Sequence, residues 1–550
     1  MNEKEKYIDS VIDNYVFNNS IKLIFNKEMS NYKDIFNHID IHQESKPFRF
    51  QISINKKTRI VDFPNFFTYY SVSTQIMNQL YKRITHRTTN YNRMEIDATN
   101  RKLKPNNYTQ CLTQDKKDLK FNYDCLSFFD IANFYNSVYT HCYEHIAPNK
   151  SLKFIDTFIT KLNARKTKGL LLGNYLSVIC ANEIMEYFCQ KISSTLNEAS
   201  IRHNITFFSD QFYIKHEKGA DDAIYKIVES VLREDYLEFK LSESKYSVIQ
   251  HNDLIENTIF TNSLAKLAQI FSFERSKKDN KFTIDCENAR TKLVHFLNAI
   301  LYQLQHYDYL QNIQDTYLKV AFKRIFSSPI NLYALYKACE NKTEIDEIKT
   351  TFLFIISQHP ILIYDLFQLS IFEAINFSTI LNQIDLEILY KKLHSHSIQE
   401  YDFLYWFVKI VILKDTVQHE YENIASIENK VLVVFLLTNC PEIVINKFKS
   451  ELDDILNDAN NMFNNNWLLF YQYALYLKKH HQLNNIYTPE KFDAKRKTII
   501  DAANKLLDKD ISFIKFTNEL HQINEQSKAE RKKYNEIQKI IPDTLLEAVI

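Results

Sequence analysis

Three glycines in 550 residues restrict this chain more than any other feature. Helices need almost no backbone with φ > 0, whereas glycine-rich turns do, so a chain this poor in glycine should be mostly helical. Two of the three stand four apart, in Lys168-Gly-Leu-Leu-Leu-Gly-Asn-Tyr-Leu-Ser177. Where glycine is this scarce, the Gly169/Gly173 pair marks a close backbone approach or a special turn. A plain turn at a helix start is the simpler reading of the same residues.

The length implies two to four domains with sizeable cores. Hydrophobic residues at 45% and charged residues at 25% are ordinary for a soluble protein, and a net charge of +1 provides no basic field for a long nucleic-acid footprint. The eight cysteines contain no Cys-x-x-Cys pair, which favours a reducing compartment over a disulfide framework or zinc site. The start, Met1-Asn-Glu-Lys-Glu-Lys, lacks an apolar signal core, and no apolar run reaches transmembrane length. The expectation is a cytoplasmic protein with no membrane partner.

Along the chain, short helices are expected at Tyr7–Tyr15, Ile21–Phe25 and Tyr32–Ile39. Residues 48–62 alternate apolar and polar and form a hairpin with a basic turn, Lys56-Lys57-Thr58-Arg59. That turn is either a solvated tip or a phosphate clamp. A helix follows from Tyr69 to Ile84, and then polar residues 85–120, expected to be irregular. Cys125–Phe129 reads as a buried strand ending in Asp130. A carboxylate there caps a helix or faces a cleft or cation, because burying it alone is costly. Helices are expected near 150–163 and over Asn174–Leu196. Asn204–Ile214 folds as a hairpin with Asp210 at its tip. A helix at Asp221–Tyr236 leads to a strand at Leu241–Ile249 that carries Lys245. Beyond about 265 the pattern is helix after helix, several starting at X-Pro (Pro329, Pro360, Pro441, Pro489), at intervals near multiples of about 40 residues.

Taken in order, these segments resemble a reverse transcriptase, and most of all the bacterial abortive-infection reverse transcriptases of the AbiK type. Asp130-Ile-Ala-Asn-Phe-Tyr-Asn-Ser-Val-Tyr-Thr-His141 is similar to the family's first carboxylate motif. Gly169-Leu-Leu-Leu-Gly-Asn174 with Ser177 is similar to its substrate-pocket motif, with Leu171 where proline is usual. Phe208-Ser-Asp-Gln211 stands where the family has two aspartates, and Lys245 matches the lysine of the next motif. The resemblance covers roughly residues 45–250.

It implies an α+β fold, with a reverse-transcriptase-like fingers and palm domain over 1–265. An all-α, solenoid-like (HEAT-like) domain would occupy 266–550. It implies two-metal nucleotidyl transfer with Mg²⁺ or Mn²⁺. Asp130, the Ile131 carbonyl and Asp210 would be the metal ligands, with Asp130, Asp210, Gln211 and Lys245 as the catalytic set. Gln211 leaves the site one charge short of the family pattern. Tyr135 would be the steric gate selecting dNTPs, or an aromatic core residue. Gly169, Gly173, Asn174 and Ser177 would form the substrate pocket, and Lys57 and Arg59 would hold the triphosphate. The resemblance further implies an anti-phage, template-independent and protein-primed polymerase, with single-stranded DNA joined to a tyrosine and a homo-oligomeric assembly. Tyr7, Tyr15 and Tyr32 are the candidate primers, from their N-terminal location alone. Two alternatives stay open: a catalytically degenerate scaffold, motivated by Gln211, and a metal-independent ribonuclease of HEPN type using Arg290 and His295.

Overall fold

The computed structural model describes residues 3–250, the pairs 274–275 and 282–283, and residues 362–368, 398–413 and 426–520. Within the first run it leaves out 17–20, 38, 40–42, 55–56, 86–90, 98–101, 105 and 234–237. The chain is a mixed α+β protein that divides into two compact units.

The first unit gathers residues 1–49, 61–257 and 448–513. It opens with helix α1 (Glu3–Asp13). Ile21–Phe25 is a set of turns and not the expected helix, and Lys33–Phe36 makes a single helical turn where a longer helix was expected. Strands β1 (Phe48–Ile54) and β2 (Lys57–Phe63) pair, and the unit boundary crosses them, since residues 50–60 belong to the second unit. Helix α2 (Phe66–Thr85) follows, its Phe66, Phe67, Tyr69 and Ile76 all fully buried.

The stretch 85–120, expected to be irregular, holds two short antiparallel strands, β3 (Glu95–Asp97) and β4 (Lys102–Lys104), and then helix α3 (Asn106–Phe121). Its composition misleads because part of the buried face of α3 is charged. Asp115 and Asp118 are buried and pair with Lys215 at 3.1 and 2.6 Å, and Arg93, wholly buried, meets Asp115 at 2.7 Å. A buried charge is tolerable only when paired, so this cluster stands or falls together.

The central sheet comes next. Strand β5 (Cys125–Asp130) is followed by helix α4 (Lys153–Leu162) and the long helix α5 (Tyr175–Glu198). Then come the hairpin β6 (His203–Phe208) and β7 (Gln211–His216), helix α6 (Asp221–Arg233) and β8 (Ser247–Gln250). The strand order is β6-β7-β5-β8, with each neighbouring pair antiparallel. Setting α4 aside, this is a β-α-β-β-α-β unit in which β5 and β6 run parallel with β7 between them, a split βαβ arrangement. Alternation along the strands divides the residues by face. Phe129 and Phe212 meet α6 and α5 through Tyr225 (6.2 Å between rings) and Phe188 (6.4 Å). The other face carries Leu126, Phe128, Asp130, Gln211, Tyr213 and Lys215, and α3 covers part of it through Leu119. Residues 91–93 cover the β6 edge, with hydrogen bonds from Phe207 N to Tyr91 O and from Arg93 N to Phe207 O, both 2.8 Å.

The second unit comprises 50–60, 258–447 and 514–550. Its described helices are α7 (Gln399–Phe407), which runs into a π-helical turn at Val408–Ile412, and α8 (Lys430–Asn439), besides the short helix Leu362–Gln368. Phe403 lies 5.3 Å from Phe435 and stacks on Tyr364, giving an aromatic core, and Phe50 adds an edge contact at 6.4 Å. Helix α9 (Pro441–Asn457) starts at its proline as expected and leaves helical geometry at Phe448, where the first unit resumes. Helices α10 (Trp467–Lys479) and α11 (Ala494–Leu507) belong to the first unit. Pro489 does not start a helix: α11 begins five residues later, with the Asp493 carboxylate accepting from Arg496 N at its start. The expected domain boundary at 265, Pro329, Pro360, Arg290 and His295 lie outside the described residues, as does most of the expected solenoid. No helix among the described residues is long and apolar enough to cross a membrane.

Candidate active site

Asp130 is the last residue of β5 and pairs in register with Gln211, the first of β7. The two-residue turn Ser209-Asp210 joins β6 to β7, and Ser209 takes φ = 57° there, the positive value that primed hairpin turns require. Ile131 N donates to Asp210 O at 3.1 Å, which ties the turn to the end of β5. The expected strand and Asp-tipped hairpin are thus both present, and they bring the two carboxylates to one end of the sheet.

Lys245 reaches the same place by a different route from the one expected. It lies in a 3₁₀ turn, Glu243–Lys245, and not in the strand, which starts at Ser247. The preceding residues are stitched beside β5: Ala132 N donates to Lys240 O and Ser242 N to Asp130 O, both at 2.8 Å, and Ile131 bridges Leu241. Extended pairing with residues 130–132 therefore ends at Ser242, and the turn swings Lys245 back. Its Nζ donates to both Asp130 oxygens at 2.8 Å.

Asp130 is only 3% exposed, so its charge needs partners. Besides Lys245 it accepts a hydrogen bond from Gln211 Nε2 at 3.2 Å. A carboxylate only accepts, so this contact fixes the amide orientation, and Gln211 Oε1 in turn accepts from the Tyr213 hydroxyl at 3.1 Å. The Arg93 guanidinium sits 3.8 Å over the Tyr213 ring and donates to Thr206 Oγ1 at 2.8 Å. A continuous set of contacts therefore runs from the buried α3 charges to Asp130. Asp210 is held differently. Burial and then repulsion from Asp130 push its carboxyl up from the usual range, and its own backbone N–H, Lys245 and Ser209 offset this only in part. Two hard oxygen donors that repel each other are suited to a divalent cation.

Tyr135 lies beside this pair. Its ring is half-buried, its hydroxyl is hydrogen-bonded to Ser209, and burial followed by the Asp210 charge pushes its ionisation up. The glycine turn runs along the same backbone: Leu170 N donates to Tyr135 O and Gly169 N to Val138 O, both 2.8 Å. A Cβ on Gly169 would be in ordinary contact with Asn136, whereas one on Gly173 would stand 2.4 Å from Val61 Cγ1. Gly173, at φ = 111°, thus permits the close approach that glycine scarcity suggested, and Asp62 N donates to Leu172 O at 2.7 Å. The Asn174 side chain is committed to this turn. It accepts from Ser177 N and donates to Leu171 O, both at 2.9 Å, and both residues are buried. Asn174 thus caps α5 through the Ser177 N–H and shapes the loop.

The remaining expected residues lie elsewhere. Arg59 is exposed on β2, in the residues assigned to the second unit, and the Lys57 side chain is outside the described residues. Tyr15 is wholly buried among Phe25, Phe66 and Phe513, so its hydroxyl is closed to solvent and unsuited to priming. Tyr7 and Tyr32 are partly exposed. Sequence reasoning missed Ser209, Tyr213 and Arg93. The legible signal was Lys215, a charge on the Asp130 face of an apolar strand.

No protein-family model matches the chain, and no curated protein matches it. Among solved structures, it is similar to telomerase from Candida albicans in complex with a TWJ fragment of telomeric RNA. That match has 11% identity and a TM-score of 0.29, and it covers 56% of this chain and 64% of the telomerase chain. The chain therefore spans less than two thirds of the telomerase chain.

Proposed function

We propose that the protein is a nucleotidyltransferase of reverse-transcriptase type that polymerises dNTPs. The observation that supports this reading is the meeting of Asp130 and Asp210 at one end of the sheet, close enough for one charge to raise the other's pKa. Asp130 and Asp210, with the Ile131 carbonyl, would hold Mg²⁺ or Mn²⁺. A bound divalent ion would supply activation of the attacking hydroxyl and stabilisation of the leaving pyrophosphate. Tyr135 packs under the sugar and rejects a 2′-hydroxyl. Lys245 leaves Asp130 for the pyrophosphate, neutralising or protonating it. The resemblance of residues 130–141, 169–177, 208–211 and 245 to the AbiK type extends the proposal. The product is single-stranded DNA, made without a template, joined to a tyrosine such as Tyr7 or Tyr32, by a homo-oligomer acting in anti-phage abortive infection.

The test is incorporation of labelled dNTPs by the full chain. Asp130→Asn and Asp210→Asn should each reduce it to background while circular dichroism stays unchanged. Denaturing electrophoresis should show nuclease-sensitive label on the wild-type protein. Retained incorporation in either variant sinks the assignment. One observation favours a second reading, a catalytically degenerate scaffold: Lys245 already neutralises Asp130, and Gln211 takes a further acceptor site on it. That reading requires phage protection to survive both substitutions.

A further inference from the structure

Between β5 and α4 the chain makes a 3₁₀ helix, Thr140–Glu144, which lies against α4. His141 and Glu144 come from the 3₁₀ helix and Asp156 from the first turn of α4. Candidate ligand atoms of the three lie within 4.8 Å of one another. His141 Nδ1 and Asp156 Oδ2 are 2.9 Å apart, and the Tyr139 ring packs edge-on to the imidazole at 4.9 Å, fixing its plane. None of these residues takes part in the site at Asp130.

The observation that separates this cluster from an ordinary surface ion pair is the other Asp156 oxygen. Asp156 is 93% buried, at 7% exposure, yet Oδ1 accepts no hydrogen bond among the described residues. A buried carboxylate oxygen with no donor carries an uncompensated desolvation cost. A cation would remove that cost. One imidazole and two carboxylates form a mixed nitrogen–oxygen donor set, which suits first-row divalent ions such as Zn²⁺ better than Mg²⁺ or Ca²⁺. We propose that His141, Glu144 and Asp156 form a second divalent-metal site, with Zn²⁺ or a similar ion bound by one nitrogen and two oxygens and open positions left for water.

Lys153 and Lys150 now hold Glu144, at 3.1 and 3.3 Å. Their side chains are 55% and 63% exposed, so these are weak surface pairs that swing into solvent at little cost. They compete with the ion for Glu144 and weaken the site without blocking it. The metal would cross-link the 3₁₀ helix to α4, stiffening the segment that leads from Asp130 to Gly169.

Equilibrium dialysis of the full chain against Zn²⁺ tests this, with the Asp130→Asn/Asp210→Asn double variant alongside to remove the other carboxylate pair. The double variant should keep one equivalent of Zn²⁺. His141→Ala should weaken binding at least about tenfold, the loss typical of disturbing a metal site. Asp156→Asn disturbs a buried ion pair, so Glu144→Gln, a surface change, is the second ligand variant; it should fold as wild type and bind Zn²⁺ more weakly. Lys153→Gln should bind it more tightly. Absence of Zn²⁺ binding by the double variant, or unchanged affinity in either His141→Ala or Glu144→Gln, overturns the site. Loss of incorporation in the catalytic variants leaves this result unaffected, so the two proposals fail separately.

Discussion

Gln211→Glu is the most informative single change, because it is isosteric and its neighbours are known. It puts an anionic oxygen where Gln211 Nε2 now stands, 3.2 Å from Asp130 Oδ2. Two unit charges at that separation repel by about 5 kcal/mol at an effective dielectric of 20. The substitution also removes a hydrogen bond to a charged acceptor, worth about 1.5–3 kcal/mol. Lys245 on both Asp130 oxygens, and the partial exposure of Gln211, should cut the repulsion to about half, leaving roughly 2–3 kcal/mol. In EDTA the variant should therefore melt at a lower temperature than wild type. A divalent cation at the carboxylates turns the same charge into an attraction. At about 1.4 kcal/mol per decade, the Mg²⁺ or Mn²⁺ needed for half-maximal incorporation should fall by roughly 25- to 140-fold. The assay is a cation titration of both proteins, read by melting temperature and by labelled dNTP incorporation. If the two proteins melt alike in EDTA and need the same cation concentration, Gln211 and Asp130 are not electrostatically coupled and the site has been misread. If only the variant incorporates dNTPs, the native chain is a degenerate polymerase.

Tyr135→Ala should admit rNTPs at a rate approaching that for dNTPs; unchanged discrimination in competition assays would make Tyr135 a packing residue. Gly173→Ala should lower stability by about 2–4 kcal/mol, because φ is 111° and the new Cβ meets Val61 Cγ1 at 2.4 Å. Adding Val61→Ala should recover part of that loss in the melting curve, as expected for coupled neighbours. The raised carboxyl of Asp210 means the folded, cation-free protein holds a proton more tightly there than the unfolded chain does. Its stability should thus fall as pH rises from the usual carboxylate range through the raised value, while cation affinity rises across the same window. Melting and cation titrations across that range check both signs.

What could be read from the sequence was local. Cys125–Phe129 is an uninterrupted apolar run with a carboxylate at its end, and the hairpin holding Asp210 alternates cleanly, so both elements followed from pattern. The helix expected to open at Asn174 starts one residue later, at Tyr175. The misses share a cause: the stabilising partner is distant in the chain. Helix α3 looked irregular because Asp115 and Asp118 make its buried face polar, and only Lys215 and Arg93 make that tolerable. Lys245 looked like a strand residue because its segment is apolar–polar. Its turn is imposed by hydrogen bonds to residues 130–132, more than 100 positions earlier. The alignment of Asp130 with Gln211, and hence the Gln211 amide orientation, depends on register and not on either residue's neighbours.

The return of residues 448–513 to the first unit bears on how the protein is made. Asn65 Nδ2 donates to Met462 O at 2.7 Å, Lys46 N to Phe463 O at 3.0 Å and Asn26 N to Phe513 O at 2.8 Å, while Phe513 closes the aromatic cluster around Tyr15 and Phe66. While residues 1–257 emerge from the ribosome, this surface has no partner. A ribosome adding about 5–20 residues per second needs roughly 13–50 s to reach Phe513, the 513 − 257 = 256 residues beyond. For that interval the nascent chain lacks the cover that Phe513 and Tyr471 give Tyr15, Phe66 and Phe67, which leaves an aromatic surface open to chaperones and proteases until the returning segment docks.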